Sequence, residues 1–404
     1  MSITFAPLLA EAEQPEFAPW RNLLRALALL HESSLYRVPG CKAPYPLETL
    51  GPGYYFAPAF SHWDLIYCLL DSCPVMPEHT LQQLENMLFF QQPDGSLPGA
   101  IFFRNGPLES PEPYWYSTFP AVWPMAADEY TRVTGTNKAI ELCYEPLCRQ
   151  ISWYEANRKA DGFGFFYTDT LEPKTWESGV DESPRCELFQ ERGKFPCCDA
   201  TSHLWLLYDA AARWGTALGK GDKGYAAKRD ELGILLREKF FSDETGFFHD
   251  AYLLEHGIKF RTLNALWPFV FGIASKEQAD RIIDGSLLDP SRFFTEHPLP
   301  YVAVDEPCFE LRMWRGGAFT SATLMILLGC LKYGRQDAAV KIAERVMHYG
   351  EIYAKRTMAI WEFYHPFGQS PRSMGRKSSP WLMPCSQYVG HNPFFAVARI
   401  LTQY

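Results

Sequence analysis

The sequence predicts an all-α fold, an (α/α)6 barrel of six helical hairpins set as inner and outer rings, with long site-building loops and minor β-hairpins. Three observations predict it. Amphipathic helices alternate with Gly- and Pro-rich loops along the whole chain. Two of these helices, 320–333 ending at Gly334 and 337–349 ending at Gly350, are joined by so short a turn that they form an antiparallel hairpin. Strand signals are confined to short pieces, 165–167 and 247–252, which suit loop hairpins. A helix with one apolar stripe must bury it against a neighbour, and about a dozen such helices pair off as two rings. A superhelical solenoid would need a recurring motif at a period of roughly 34–47 residues, which the chain lacks.

Taken in order, helices are expected over 18–32, 61–72, 77–91, 117–134, 137–158, 204–218, 222–240, 262–273, 276–286, 320–333, 337–349, 352–361 and 392–402. The clearest period is Leu204, Leu207, Ala211, Trp214 and Leu218, with Asp199 or Thr201 as the N-cap and Gly219 as the stop. No low-complexity linker or charge block interrupts the pattern, so 1–404 reads as a single catalytic domain without a separate β-sandwich. The connections 33–60, 92–116, 159–198, 288–319 and 362–391 are longer than a structural link needs and rich in Gly, Pro, aromatic and charged residues. Long loops on a rigid scaffold are where a site is built.

Composition narrows the function. The 47% hydrophobic content supports a large core, and the 12 Trp, 21 Tyr and 29 Phe suit either an aromatic-rich core or a site that stacks on sugar rings. The net charge of −9, with no basic run, excludes the clustered Lys and Arg that nucleic acid requires. The start carries no basic segment ahead of an apolar one, so no signal peptide is expected, and the apolar run 324–331 is too short to span a bilayer. Eleven scattered cysteines without a CxxC pair suggest neither a zinc site nor a disulfide framework, but free thiols in a reducing cytoplasm. No metal or organic cofactor is expected, and the sequence carries no signal for an oligomeric state.

Four stretches concentrate chemistry. Trp176-Glu-Ser-Gly-Val-Asp-Glu-Ser-Pro-Arg185 holds three carboxylates, an Arg and a Trp within a turn-rich loop. A carboxyl there becomes a general acid if a neighbouring charge or burial keeps it protonated; otherwise the stretch is a solvated acidic loop with Arg185 as an internal ion pair. In Met358-Ala-Ile-Trp-Glu-Phe-Tyr-His-Pro-Phe-Gly368, Glu362 lies among aromatics, where a carboxylate is costly unless paired or functional. In Asp305–Gly317, Trp314 and Arg315 precede Gly316-Gly317, a pair that lets backbone approach a ligand or opens the next helix. In Phe60-Ser-His-Trp-Asp64, Asp64 either serves the helix dipole or accepts from sugar hydroxyls.

Together, in order and spacing, these stretches resemble glycoside hydrolase family 63, and are similar to the family 37 trehalases, from about residue 54 onward. Trp176–Arg185 resembles the family's Glu-Ser-Gly-x-Asp-x-Ser-Pro-Arg signature, whose acid falls on Asp181. The segment Trp361–Gly368 resembles Glu-Tyr-Tyr-Asn-Pro-x-x-Gly, whose base falls on Glu362. Trp314–Phe319 resembles Trp-Arg-Gly-Pro-x-Trp, with Gly317 for the Pro and Phe319 for the second Trp. Trp63-Asp64 matches an early pair that holds the sugar, and Trp381 sits where the family has a Trp near it. Glu182 stands in place of Asn, a charge that either acts on Asp181 or points away.

The resemblance implies an inverting α-glycosidase of the small mannosylglycerate or glucosylglycerate hydrolase type, acting on a short α-linked gluco- or mannoside. Asp181 protonates the leaving oxygen and Glu362 activates water, from carboxyls standing roughly 6.5–9.5 Å apart. Trp63, Asp64, Trp176, Glu177, Arg185, Trp314, Arg315, Gly316, Tyr364 and Trp381 are the expected substrate contacts. The polar loop 369–380, with Arg372, Arg376 and Lys377, either meets an acidic aglycone or is a solvated flap. Two other readings stand beside this one. One is an (α/α)6 sugar epimerase using His62, His203, His365 or His391 as acid/base, and the other is a sugar binder without catalysis.

Overall fold

The computed structural model describes residues 4–56, 58–103, 117–172, 174–379 and 381–404. The first residues of the chain, Ala57 of loop 33–60, 104–116 of the expected loop 92–116, Pro173 of loop 159–198 and Pro380 of loop 369–380 lie outside them. The described chain is mostly helical, with three two-stranded antiparallel pairs. These join Leu35–Tyr36 to Leu47–Glu48, Ala59–Ser61 to Ala100–Phe102, and Phe241–Ser242 to Phe247–Phe248. No helix among the described residues is long and apolar enough to cross a membrane.

Two compact units divide the chain. One comprises Met1–Gln150, Val346–Glu362 and Cys385–Tyr404, and the other Ile151–Arg345 and Phe363–Pro384. In the first, Phe394–Gln403 packs on Arg21–Ser34 and His62–Ser72. The Arg399 guanidinium pairs there with Glu11 at 2.6 Å and donates to the Asp71 carbonyl at 2.7 Å. In the second, Cys198–Ala217 packs on Tyr225–Lys239, and Trp267–Val270 lies against both Cys198–Ala217 and Thr320–Lys332.

Local chemistry explains most element ends. Pro77 and Pro124 open their helices, where a missing N–H costs nothing. Gly135, Gly219 and Gly334 follow helix ends with positive φ, the left-handed conformation that glycine adopts freely. Ser275 and Gln278 form a reciprocal capping box ahead of Lys276–Ile282.

Five expectations are corrected. The helix expected from 117 starts at Pro124, because proline sets the start. The helices expected at 337–349 and 352–361 are one, Gln336–Thr357. Gly350 is buried inside it rather than a stop: a Cβ there would lie 2.8 Å from Leu23 Cδ2 and 3.0 Å from Phe394 Cε1, so the glycine serves close packing. The segment 262–273 is a 3-10 turn, Leu263–Leu266, followed by the short helix Trp267–Val270, interrupted by Pro268. Neither Asp199 nor Thr201 caps its helix, whose N-cap is Cys197; both lie in the first turn, and Asp199 is drawn into an ion cluster. Of 247–252 only Phe247–Phe248 is strand, and Ala251–Glu255 is helical.

Candidate active site

Of the expected site residues, Trp63, Asp64 and Glu362 lie in the first unit and the others in the second. In the first, Glu362 follows the long helix and is 1% exposed. Its backbone N–H donates to the Cys385 carbonyl at 2.9 Å, and the Cys385 N–H donates back to Glu362 Oε2 at 3.1 Å. Backbone and carboxylate are thus clamped by one residue. The flanking chain is fixed by pairing of Trp361 with Ser386 and by Asn392, whose amide donates to the Trp361 carbonyl at 2.8 Å.

Asp64 sits in the first turn of His62–Ser72 and is 5% exposed. Its Oδ1 accepts from the Tyr388 hydroxyl at 2.8 Å and lies 2.9 Å from His391 Nε2. Burial alone would raise the Asp64 carboxyl, but His391, Ser61 and Tyr388 outweigh it and hold the group below the usual range. Burial, with the charges of Asp64 and Glu362, pushes the Tyr388 phenol far up, so it stays a donor. Trp63, 6% exposed, meets the Tyr67 ring edge-on. Gly390 backs this corner: a Cβ there would stand 2.7 Å from Asp64 Cβ. Tyr388 escaped the sequence reading altogether, its signal being only an aromatic in the polar run before the last helix; His391 was weighed there only as an epimerase base.

In the second unit the loop 176–185 is organised by Asp169, a residue the sequence reading missed. Its carboxylate accepts from Ser178 N–H at 2.7 Å, Glu177 N–H at 3.2 Å and the Thr175 hydroxyl at 3.0 Å. Burial holds that carboxyl up at about 6. Glu177 is fully buried, with Arg158 Nε 2.9 Å from both its oxygens and the Thr168 N–H at 2.8 Å. Arg185, 3% exposed, grips both oxygens of Asp199 at 2.9 Å and Asp250 at 2.7 Å. Both residues therefore hold the loop through their charges.

Between them, Asp181 is 17% exposed with Lys377 Nζ 2.7 Å from Oδ2. The same ammonium lies 3.9 Å from the Trp176 ring centroid. Glu182 turns its carboxylate to Arg312 at 2.5 Å and to the Ser378 hydroxyl at 2.7 Å, so its charge is met there. Arg315 donates to the Glu182 carbonyl at 3.0 Å and pairs with Glu310 and Glu187. Trp314 stacks on Phe319 at 3.7 Å, and Tyr364 stacks on His297 at 4.9 Å. What comes close to Gly316 and Gly317 is the chain itself: a Cβ at Gly316 would overlap the Glu310 carbonyl, and one at Gly317 would lie 2.7 Å from the Phe363 ring. Trp381 is 89% exposed. The histidines of the epimerase reading include His62 and His203, which burial holds at about 4 and about 3 and so keeps neutral.

Residues 57–379 match the mannosylglycerate hydrolase MGH1-like glycoside hydrolase domain. Among solved structures, the family 63 mannosylglycerate hydrolase of Thermus thermophilus in complex with glucose is 18% identical with a TM-score of 0.68, over 95% of this chain and 100% of that one. The same enzyme with Tris and D-glycerate gives 18%, a TM-score of 0.69, and 94% and 99% coverage. Neutral trehalase Nth1 from Saccharomyces cerevisiae gives 12% and 0.59, over 86% of this chain and 71% of that one. These likenesses carry the fold, that of the (α/α)6-barrel enzymes, as the helix pattern predicts. With the family match spanning most of the chain, the protein belongs to the mannosylglycerate hydrolase MGH1-like glycoside hydrolases of the family 63 type.

Proposed function

We propose that this glycoside hydrolase cleaves a short α-linked gluco- or mannoside with inversion, Asp181 acting as acid and Glu362 as base, the whole chain serving as one catalytic domain. The observation that carries the assignment is the double clamp on Glu362. A buried carboxylate held through both its backbone and one oxygen is fixed in direction, and a base must be aimed before it is tuned. Glu362 takes a proton from water as the water oxygen bonds the anomeric carbon. The bond to the glycosidic oxygen breaks with its electron pair, and Asp181 supplies that oxygen's proton. Solvent then returns one proton to Asp181 and accepts one from Glu362.

Trp63, Asp64, Trp176, Trp314, Tyr364 and Trp381 are proposed to shape the sugar site, while Glu177, Arg185, Arg315 and Gly316 hold its loops. One similar enzyme, seen with glucose in one complex and with D-glycerate in another, supports a hexose linked to a small hydroxy acid. We place the enzyme in the cytoplasm, where its eleven free thiols stay reduced.

The test is turnover of α-glucosides and α-mannosides, including the glycerate glycosides and trehalose, with the first-formed anomer followed by NMR. β-Sugar should appear first, and Asp181→Asn and Glu362→Gln should each lose about 10²–10⁴-fold in kcat. An α-anomer formed first, or a variant at wild-type rate, overturns the assignment.

A further inference from the structure

We propose that a groove on the second unit, lined by none of the expected site residues, is a second carbohydrate site that takes a neutral pyranoside. It lies between the turn 159–165 and the helices Cys198–Ala217 and Tyr225–Lys239, with a volume of about 320 Å³. Ligand pockets span roughly 300–1,000 Å³, so this one is of a size for a small ligand. The proposal concerns binding alone and does not rest on Asp181 or Glu362.

The lining carries both kinds of surface that a sugar needs. Phe163, Tyr208 and Leu232 give apolar area for the C–H face of a pyranose ring. Glu155, Glu231, Lys159 and Lys228 supply two carboxylates and two ammoniums. Burial and the Glu155 carboxylate push the Tyr208 phenol up, so it adds no charge. The four charges cancel, and the groove favours neither an anion nor a cation. What it offers is acceptors and donors side by side, and a sugar hydroxyl, being both donor and acceptor, uses each.

The groove is built before a ligand arrives. Glu155 Oε1 accepts from the Tyr208 hydroxyl at 2.7 Å and lies 2.5 Å from Lys228 Nζ, which fixes its direction. The two side chains of that ion pair are still 26% and 46% exposed, so pairing adds little stability and both remain open to an occupant. Ala160 N–H donates to the Gly164 carbonyl and Phe166 N–H to the Arg158 carbonyl, both at 3.0 Å, which closes the turn. Phe165 N–H donates to Thr201 Oγ1 at 3.0 Å, tying the turn to the helix, and Arg158 anchors its start on Glu177. Gly162 and Gly164 hold φ of 86° and 69°, where glycine is favoured, so part of this wall is bare backbone that a ligand can approach closely. A wall fixed in advance loses little freedom on binding.

The experiment is equilibrium dialysis of the whole protein against radiolabelled methyl β-D-glucopyranoside and methyl β-D-mannopyranoside, whose β-linkage keeps turnover by an α-glycosidase out of the reading. For at least one of them, wild type should bind one equivalent more than Ala160→Trp, whose indole fills the groove. Its Kd should be on the order of 1 mM, as suits so small a ligand. Glu155→Gln, which keeps the shape but not the charge, should weaken that equivalent about 5- to 10-fold. Equal uptake of both glycosides by wild type and a folded Ala160→Trp overturns the site, as does unchanged affinity in Glu155→Gln. An extra equivalent of glycine taken up in place of either sugar overturns it too, since the groove would then be a zwitterion site.

Discussion

Arg185 is four residues beyond Asp181, and its replacement by Met removes a cation from a buried cluster. Asp199 is fully buried and Asp250 is 5% exposed, and the guanidinium reaches both at 2.7–2.9 Å. Asn264 also donates to Asp199 at 2.6 Å, but an amide supplies no charge. Burial already pushes the Asp250 carboxyl up, and loss of the cation forces one of the pair to take a proton or stand uncompensated. Removing one partner of a buried ion pair costs about 3–5 kcal/mol. At about 4 kcal/mol, and roughly 2–4 °C per kcal/mol for a unit of this size, Tm should fall by roughly 8–16 °C. Arg185→Lys keeps the charge but loses the fork that fits both oxygens of Asp199, so its loss should be smaller. Differential scanning calorimetry at neutral pH reads both variants. A Tm within roughly 2 °C of wild type, together with a lost kcat/KM, would return Arg185 to the substrate and refute its role as a brace.

Two further outcomes are expected. His31 is buried between Glu48, 2.5 Å away, and Asp71, 3.3 Å away; burial alone would lower it, but the two carboxylates outweigh that and raise it to about 9 from 6.5. Its folded value lies above its unfolded one, so its stabilisation is full below about pH 6.5 and is lost as pH rises toward 9. Unfolding free energies from urea titrations should fall across that window by up to about 3 kcal/mol, and His31→Gln should show a lower, flatter profile; parallel profiles would contradict it. At Gly390, an added Cβ would press on Asp64, 3.0 Å from its Oδ1. Gly390→Ala should lower kcat/KM by about tenfold or more, since small displacements of a positioning group cost that much; unchanged kinetics would remove Asp64 from the sugar site.

Elements governed by neighbours a few residues away were legible in the sequence. The helices His62–Ser72, Pro77–Phe89 and Lys138–Asn157 lie within a residue or two of their apolar periods, because their starts and stops are local chemistry. The order of carboxylate-bearing stretches likewise pointed to Asp181 and Glu362 and to the family. Gly350 was misread because its neighbours, Leu23 and Phe394, are remote in the chain, and a glycine chosen for packing looks like one chosen for a turn. Charge partners were hidden for the same reason. Nothing near Glu177 announces Arg158, nothing near Asp64 announces a tyrosine 324 residues on, and Asp181 meets a lysine from the last long loop. Which carboxylates are spent on bracing and which stay partly open to solvent depends on burial and on long-range pairing. Both exist only once the chain has closed on itself, since removal from water is what makes each unpaired charge costly enough to choose a partner.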